Sequence, residues 1–131
     1  MTVRQVFSFV IIAAGLVLPV GAATAAPLEG SWSGAGTVNP SSGQPERVRC
    51  RVNYSRQTAK VYNVSATCAS ASASLRQTGT LLRVRSNRYV GDVYNSDFDI
   101  SGRLKVTVKG RKQIVTFTSS AASGRLNLRK R

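Results

Sequence analysis

The chemistry this chain can offer starts in ERVRCRV, where Arg47, Arg49 and Arg51 alternate with Val48, Cys50 and Val52. Residues two apart on a strand share a face and sit roughly 6.8 Å apart, inside the ~8 Å over which charges at physiological salt still interact. Three like charges at that spacing repel one another unless an anion neutralises them. The chemistry implied is therefore anion binding. A second basic group, Lys109, Arg111 and Lys112, surrounds Gly110 in VKGRKQ and extends the same expectation.

Other chemistry is poorly supplied. The chain has 2 cysteines, 5 acidic residues and no histidine. Its many serines lack the imidazole base of a Ser-His pair, and nothing marks one Ser and one Lys as partners. Asp97 and Asp99 in YNSDFDIS, with Asp92 nearby, could offer oxygen ligands to calcium. They do not match an EF-hand loop, so they read as a solvated turn. The glycines of GSWSGAGTV lack both the lysine and the helix start of a phosphate-binding loop; they read as strand positions where curvature or close packing leaves no room for a side chain. The expectation is a protein that is not an enzyme and uses neither metal nor cofactor.

Residues 1–25 carry Arg4, an apolar run from Val6 to Val20, and small residues at Ala23 and Ala25. That is the layout of a cleaved secretory signal, with an apolar run shorter than the ~20 residues a spanning helix needs. No transmembrane anchor is expected in the mature chain, residues 26–131. Cleavage removes one cation and no acid, so the net charge of +14 becomes +13. Such a charge predicts attraction to anionic surfaces and strong salt dependence. Export makes a disulfide the default state of Cys50 and Cys68, and places the protein in the periplasm or outside the cell.

The elements that must position these residues are strands. Beyond residue 28, alternation recurs with turn signals every ~8 to 12 residues, an all-β pattern. Eight strands are predicted over about 30–38, 46–54, 61–69, 73–84, 88–94, 98–109, 113–119 and 124–129. In FDISGRLKVTV, Phe98, Ile100, Gly102, Leu104, Val106 and Val108 share the core side. Gly110 suits the first central position of a type II′ hairpin, which sets Val106 opposite Val115 and Leu104 opposite Phe117. A hairpin between the second and third strands sets Cys50 opposite Cys68 and Tyr54 opposite Val64. Arg47, Arg49 and Arg51 then have Ala71, Ala69 and Thr67 on one side and Thr37, Ala35 and Ser33 on the other, none acidic. The fourth and fifth strands leave their registers open, because Leu81 adjoins Leu82 and RYVGDVY offers apolar residues to both faces.

Short connections favour an up-and-down meander, and eight such strands close into a small antiparallel barrel without free edges; a two-sheet sandwich is the alternative. In a meander, the turns after strands two, four and six share one end with both termini. That end collects Arg56, Lys60, Arg85, Arg88, Lys109, Arg111, Lys112, Arg129, Lys130 and Arg131 against Glu29 alone. Glu46, Asp97, Asp99 and Asp92 go toward the other.

LEGSWSG, ERVRCRV, ATCA, NRYVGDVYN and SGRL together resemble a group of short exported bacterial proteins with the same Gly-Ser-Trp start and two-cysteine hairpin. The resemblance implies the signal peptide and the disulfide, and carries no activity over. Gly30, Ser31 and Trp32 also resemble the Gly-x-Trp of calycin barrels, the lipocalins among them, although the Thr-Asp-Tyr signature of lipocalins is absent. That resemblance implies a Trp closing one barrel end, an Arg packed across it with Arg129 as the counterpart, and a ligand mouth at the opposite end beside VNPSSGQPE, YNSDFD and SSAASG.

Two functions are expected in consequence. The first is an exported monomer whose basic face binds an anionic envelope component: lipid, lipopolysaccharide or acidic polysaccharide. Nucleic acid is the weaker partner, because aromatic residues are not interleaved with the basic ones as stacking platforms require. The second is a calycin-like barrel that binds a small apolar ligand or a protease.

Overall fold

The computed structural model describes residues 13–17 and 28–131; the expected signal peptide therefore lies outside the described residues except for 13–17. Eight antiparallel strands, each paired with its sequence neighbour, close into a barrel. They are β1 (Gly30–Pro40), β2 (Glu46–Arg56), β3 (Val61–Ala69), β4 (Ser74–Arg85), β5 (Arg88–Asn95), β6 (Ile100–Lys109), β7 (Lys112–Thr118) and β8 (Ala122–Lys130). β8 returns to pair with β1, Gly34 opposite Leu128 and Val38 opposite Gly124.

Alternation and turn chemistry fix the registers. Cys50 faces Cys68 across β2 and β3, Tyr54 faces Val64, and the two cysteines are joined. Val106 faces Val115 and Leu104 faces Phe117 across a two-residue turn, where Gly110 takes φ 59°. Of the two registers left open, the first is settled by Leu81, which turns inward and is fully buried, while Leu82 stands outside, half exposed. A register shift between Arg83 and Arg85 then lets β4 meet β5. On β5, Tyr89, Val93 and Asn95 are buried.

Strand ends shift by one or two residues at most boundaries, and one shift moves a residue expected in the core to the outside. β6 begins at Ile100, and Phe98, expected on the core side, is 58% exposed. The cause is local. The Asn95 side chain accepts a hydrogen bond from the Phe98 N–H at 3.0 Å, and Asp99 takes a left-handed φ of 50°, so 96–99 forms a turn where the strand pattern would have continued.

Curvature comes from glycine at two opposite seams. A Cβ on Gly34 or Gly36 would fall 2.0 or 1.9 Å from a β8 carbonyl oxygen, and one on Gly79 or Gly91 would fall 2.1 or 1.9 Å from a carbonyl across the β4–β5 seam. Only hydrogen fits there, and the strands bend sharply where they touch.

The barrel is filled unevenly. Trp32, Tyr62, Leu81, Tyr89, Val106 and Leu128, all fully or almost fully buried, pack the end that carries the termini. The Trp32 indole N–H donates to the Leu28 carbonyl at 2.9 Å, and the rings of Tyr62 and Tyr89 meet edge to face at 5.2 Å. The Tyr54 hydroxyl donates to Gln113 Oε1 at 2.6 Å within the core, and burial pushes its ionisation far above the ordinary tyrosine range. The side chain is therefore a neutral structural donor. Apolar side chains face mainly inward and the strands' Arg and Lys outward, the reverse of a barrel that spans a bilayer.

The disulfide crosses neighbouring strands and closes a chain segment with a sequence separation of 18. Chain-entropy arguments give roughly 3 kcal/mol for a loop of this order. Replacing Cys50 and Cys68 together by alanine should remove about that much stability, read as a lowered urea midpoint with a somewhat steeper slope, since the unfolded chain without its cross-link exposes more surface. A loss under ~1 kcal/mol would show that the hairpin is held by its ladder alone.

Candidate functional site: a basic outer wall and an apolar cavity

The structure places two candidate sites. The first is the outer wall. Arg47, Arg49 and Arg51 are exposed on the outside of β2. Ser33, Ala35 and Thr37 of β1 are opposite them on one side, and Ala69 and Thr67 of β3 are opposite Arg49 and Arg51 on the other. The expected neighbour Ala71 is not in the ladder, because β3 ends at Ala69 and the chain turns there.

Barrel closure extends the stripe in a way no single hairpin could. Ser33, opposite Arg51, is also opposite Arg129; Arg129 is opposite Lys112, and Lys112 opposite Lys109. A single cross-strand row therefore joins the β2 arginines to the β6–β7 cations. In the next rows Thr37 links Arg47 to Arg125, and Thr116 links Arg125 to Lys105. The outward positions of the five consecutive strands β2, β1, β8, β7 and β6 hold Arg47, Arg49, Arg51, Arg125, Arg129, Lys112, Arg103, Lys105 and Lys109, and no carboxylate. At the edge of the wall, Arg103 meets Asp92 of β5 at 3.8 Å.

Of the predicted anion-binding residues, Arg47, Arg49, Arg51, Lys109 and Lys112 thus share one wall. Arg111 occupies the hairpin tip, where its guanidinium donates to the Lys130 carbonyl at 3.2 Å. Arg125, Arg129 and Lys105 were missed as members of the wall. Their strand parity was readable and closure of the barrel implied a β8–β1 pairing, but the register that brings them beside β2 was not readable.

The second site is inside. The half of the barrel away from the termini encloses a cavity of about 180 Å³. Its wall includes Val48, Cys50, Val52, Ala66, Cys68, Val93, Leu104, Val115, Phe117 and Leu126, and it reaches the β3–β4 and β7–β8 turns through Ser70, Ala73, Ser119 and Ala121. The size follows from side-chain choice: Ala66 and Gly124 supply little volume, and Gly102 faces Phe117, whose ring lies where a Cβ would be, 2.1 Å away. Polar groups are few. Glu46 stands in the lining and accepts from the Ser72 hydroxyl at 2.7 Å. Asn95, 3% exposed, also lines the cavity. With Gln113, it is a polar residue at an inward position of an apolar face, a signal that parity alone could have given.

The calycin expectation is corrected in one residue. Trp32 does close the terminal end, but the cation over its ring is Lys130, with Nζ 5.8 Å from the ring centroid. Arg129 points outward into the basic wall, because strand parity gives it the face opposite to Leu128. Asp97 and Asp99 lie in the β5–β6 turn, where Asp99 accepts from the Tyr94 hydroxyl at 2.9 Å; that bond raises the ionisation of Tyr94 above its usual range.

No family model and no curated protein matches this chain. Among solved structures it is similar to three designed barrels. With the redesigned β-barrel mFAP1, bound to DFHBI, it shares a TM-score of 0.67 at 12% identity over 79% of this chain and 94% of that one. With the redesigned barrel b11L5F_LGL the values are 0.64 and 14%, over 79% and 91%. With a barrel from the de novo design of a fluorescence-activating β-barrel they are 0.63 and 17%, over 80% and 94%. At these identities the likeness establishes the fold, a closed eight-stranded antiparallel barrel, and nothing finer.

Proposed function

We propose that this chain is an exported, non-enzymatic binding protein that docks on an anionic envelope surface through the wall formed by β2, β1, β8, β7 and β6. The observation that carries the reading is the absence of any carboxylate among the outward residues of five adjacent strands that display nine cations. A wall serving solubility alone would gain by interspersing signs, whereas this one concentrates a single sign. The disulfide fits an exported protein, and a chain without histidine, with both cysteines paired, fits a role without catalysis.

Retention of the oxidised protein on vesicles tests it. On phosphatidylglycerol vesicles the protein should be retained at low salt and released as salt rises; on phosphatidylcholine vesicles it should not be retained. Soluble acidic polysaccharide that displaces it only at high excess would favour the lipid surface. Absence of retention on anionic vesicles at low salt would contradict docking on lipid.

The cavity favours a second role on the same barrel, that of holding a small apolar ligand. An apolar hollow near 180 Å³ forgoes contacts that close packing would make, and one barrel of this fold is bound to DFHBI. The two roles occupy different surfaces, so neither excludes the other.

A further inference from the structure

We infer that the cavity takes a compact apolar molecule carrying one hydrogen-bond acceptor and no negative charge, with the Asn95 amide as its polar anchor. This rests on the second role above, and names the ligand class for it. Three observations lead there.

The first is the orientation of the amide. Asn95 Oδ1 is engaged by the Phe98 backbone N–H at 3.0 Å, which can only donate, so the two ends of the amide are distinguished by their partner. The other end is Nδ2. It is buried without a hydrogen-bond partner among the described residues, in a side chain that lines the cavity. A buried amide donor left unpaired is costly; a carbonyl, ether or hydroxyl oxygen on a bound molecule would pair it.

The second is charge. Glu46 is in the lining, and no Lys or Arg is. A ligand carboxylate would meet like charge with no cation to offset it, so fatty-acid-like anions are disfavoured and neutral molecules favoured. The third is size. A cavity of ~150 Å³ lined by apolar side chains accommodates benzene, so one of about 180 Å³, reaching the turns, suits a ring system somewhat larger.

The test compares three monosubstituted benzenes of nearly equal bulk, titrated calorimetrically into the disulfide-bonded protein: acetophenone, ethylbenzene and benzoate. The expected order is acetyl tightest, by about tenfold over ethyl, the ratio that one well-made hydrogen bond supplies, with benzoate weakest. Asn95→Asp at pH 8 keeps an acceptor for the Phe98 N–H and removes the donor, and should erase the preference for acetyl. Equal affinity for acetyl and ethyl in the unaltered protein would overturn the role of Asn95 while leaving a ligand-binding barrel. Ala66→Phe, which directs a ring into the cavity, separates the two failures. If none of the three binds, or if Ala66→Phe leaves binding unchanged, the ligand-binding role itself fails.

Discussion

Replacing Trp32 by alanine should cost about 3–5 kcal/mol, the range for truncating a large buried aromatic. In a domain whose total stability is of the order of 5–15 kcal/mol, that is enough to leave a substantial unfolded population. The reasons are additive only in part. The side chain is fully buried at the packed end of the barrel, so its loss opens a hole there that rigid strands cannot fill by collapse. Its N–H also ties Leu28 to the barrel, and its ring lies under the Lys130 ammonium. Trp32→Phe keeps most of the volume and loses the donor, so it should cost only ~1 kcal/mol beyond the packing change. Urea midpoints of the oxidised proteins decide this. A Trp32→Ala loss below ~1.5 kcal/mol would mean that the terminal end is not closed by this ring.

Much of the barrel was legible because local and global signals agree in it. The β2–β3 hairpin is written twice, once in its alternation and once in its cysteines. The β6–β7 hairpin is written in Gly110 as well as in the pairing of Val106 with Val115. The reading failed where a side chain competes with the strand for the backbone: Asn95 captures the Phe98 N–H and ends the ladder early. It stayed undecided at Leu81 and Leu82, since alternation cannot say which of two adjacent leucines faces in until the register with β3 and β5 is known.

The candidate sites were legible to different depths. The Arg47, Arg49 and Arg51 stripe needs only a two-residue period. Its continuation through Ser33 to Arg129 and Lys112 needs the register between the first and last strands, a contact between the two ends of the strand order. Arg129 was assigned to the Trp32 ring from a resemblance, while its own parity argued for the outside and for Lys130 within. For the cavity, the resemblance pointed to the end of the barrel away from the termini, while the volume itself could not have been read. It is a remainder, the volume left where Ala66 and Gly124 line the closed barrel with little side chain.

The second large effect concerns the wall and separates a docking face from a merely high net charge. A cation close to an anionic leaflet contributes ~1 kcal/mol, so removing three from the wall should weaken retention by about 3 kcal/mol, on the order of a hundredfold. The measurement is the partition coefficient on phosphatidylglycerol vesicles, across a salt series, for two triple variants of equal net charge. One carries Arg47→Gln, Arg49→Gln and Arg51→Gln, all within the wall. The other carries Arg56→Gln, Lys60→Gln and Arg85→Gln, from the last residue of β2, the β2–β3 turn and the last residue of β4, none of them at an outward position of the five wall strands. The wall variant should lose on the order of a hundredfold and show a shallower salt dependence, with the other staying within a few-fold of the parent. Equal losses in the two variants would contradict the account, because attraction would then follow total charge and the five-strand wall would have no part in placing the protein on its surface.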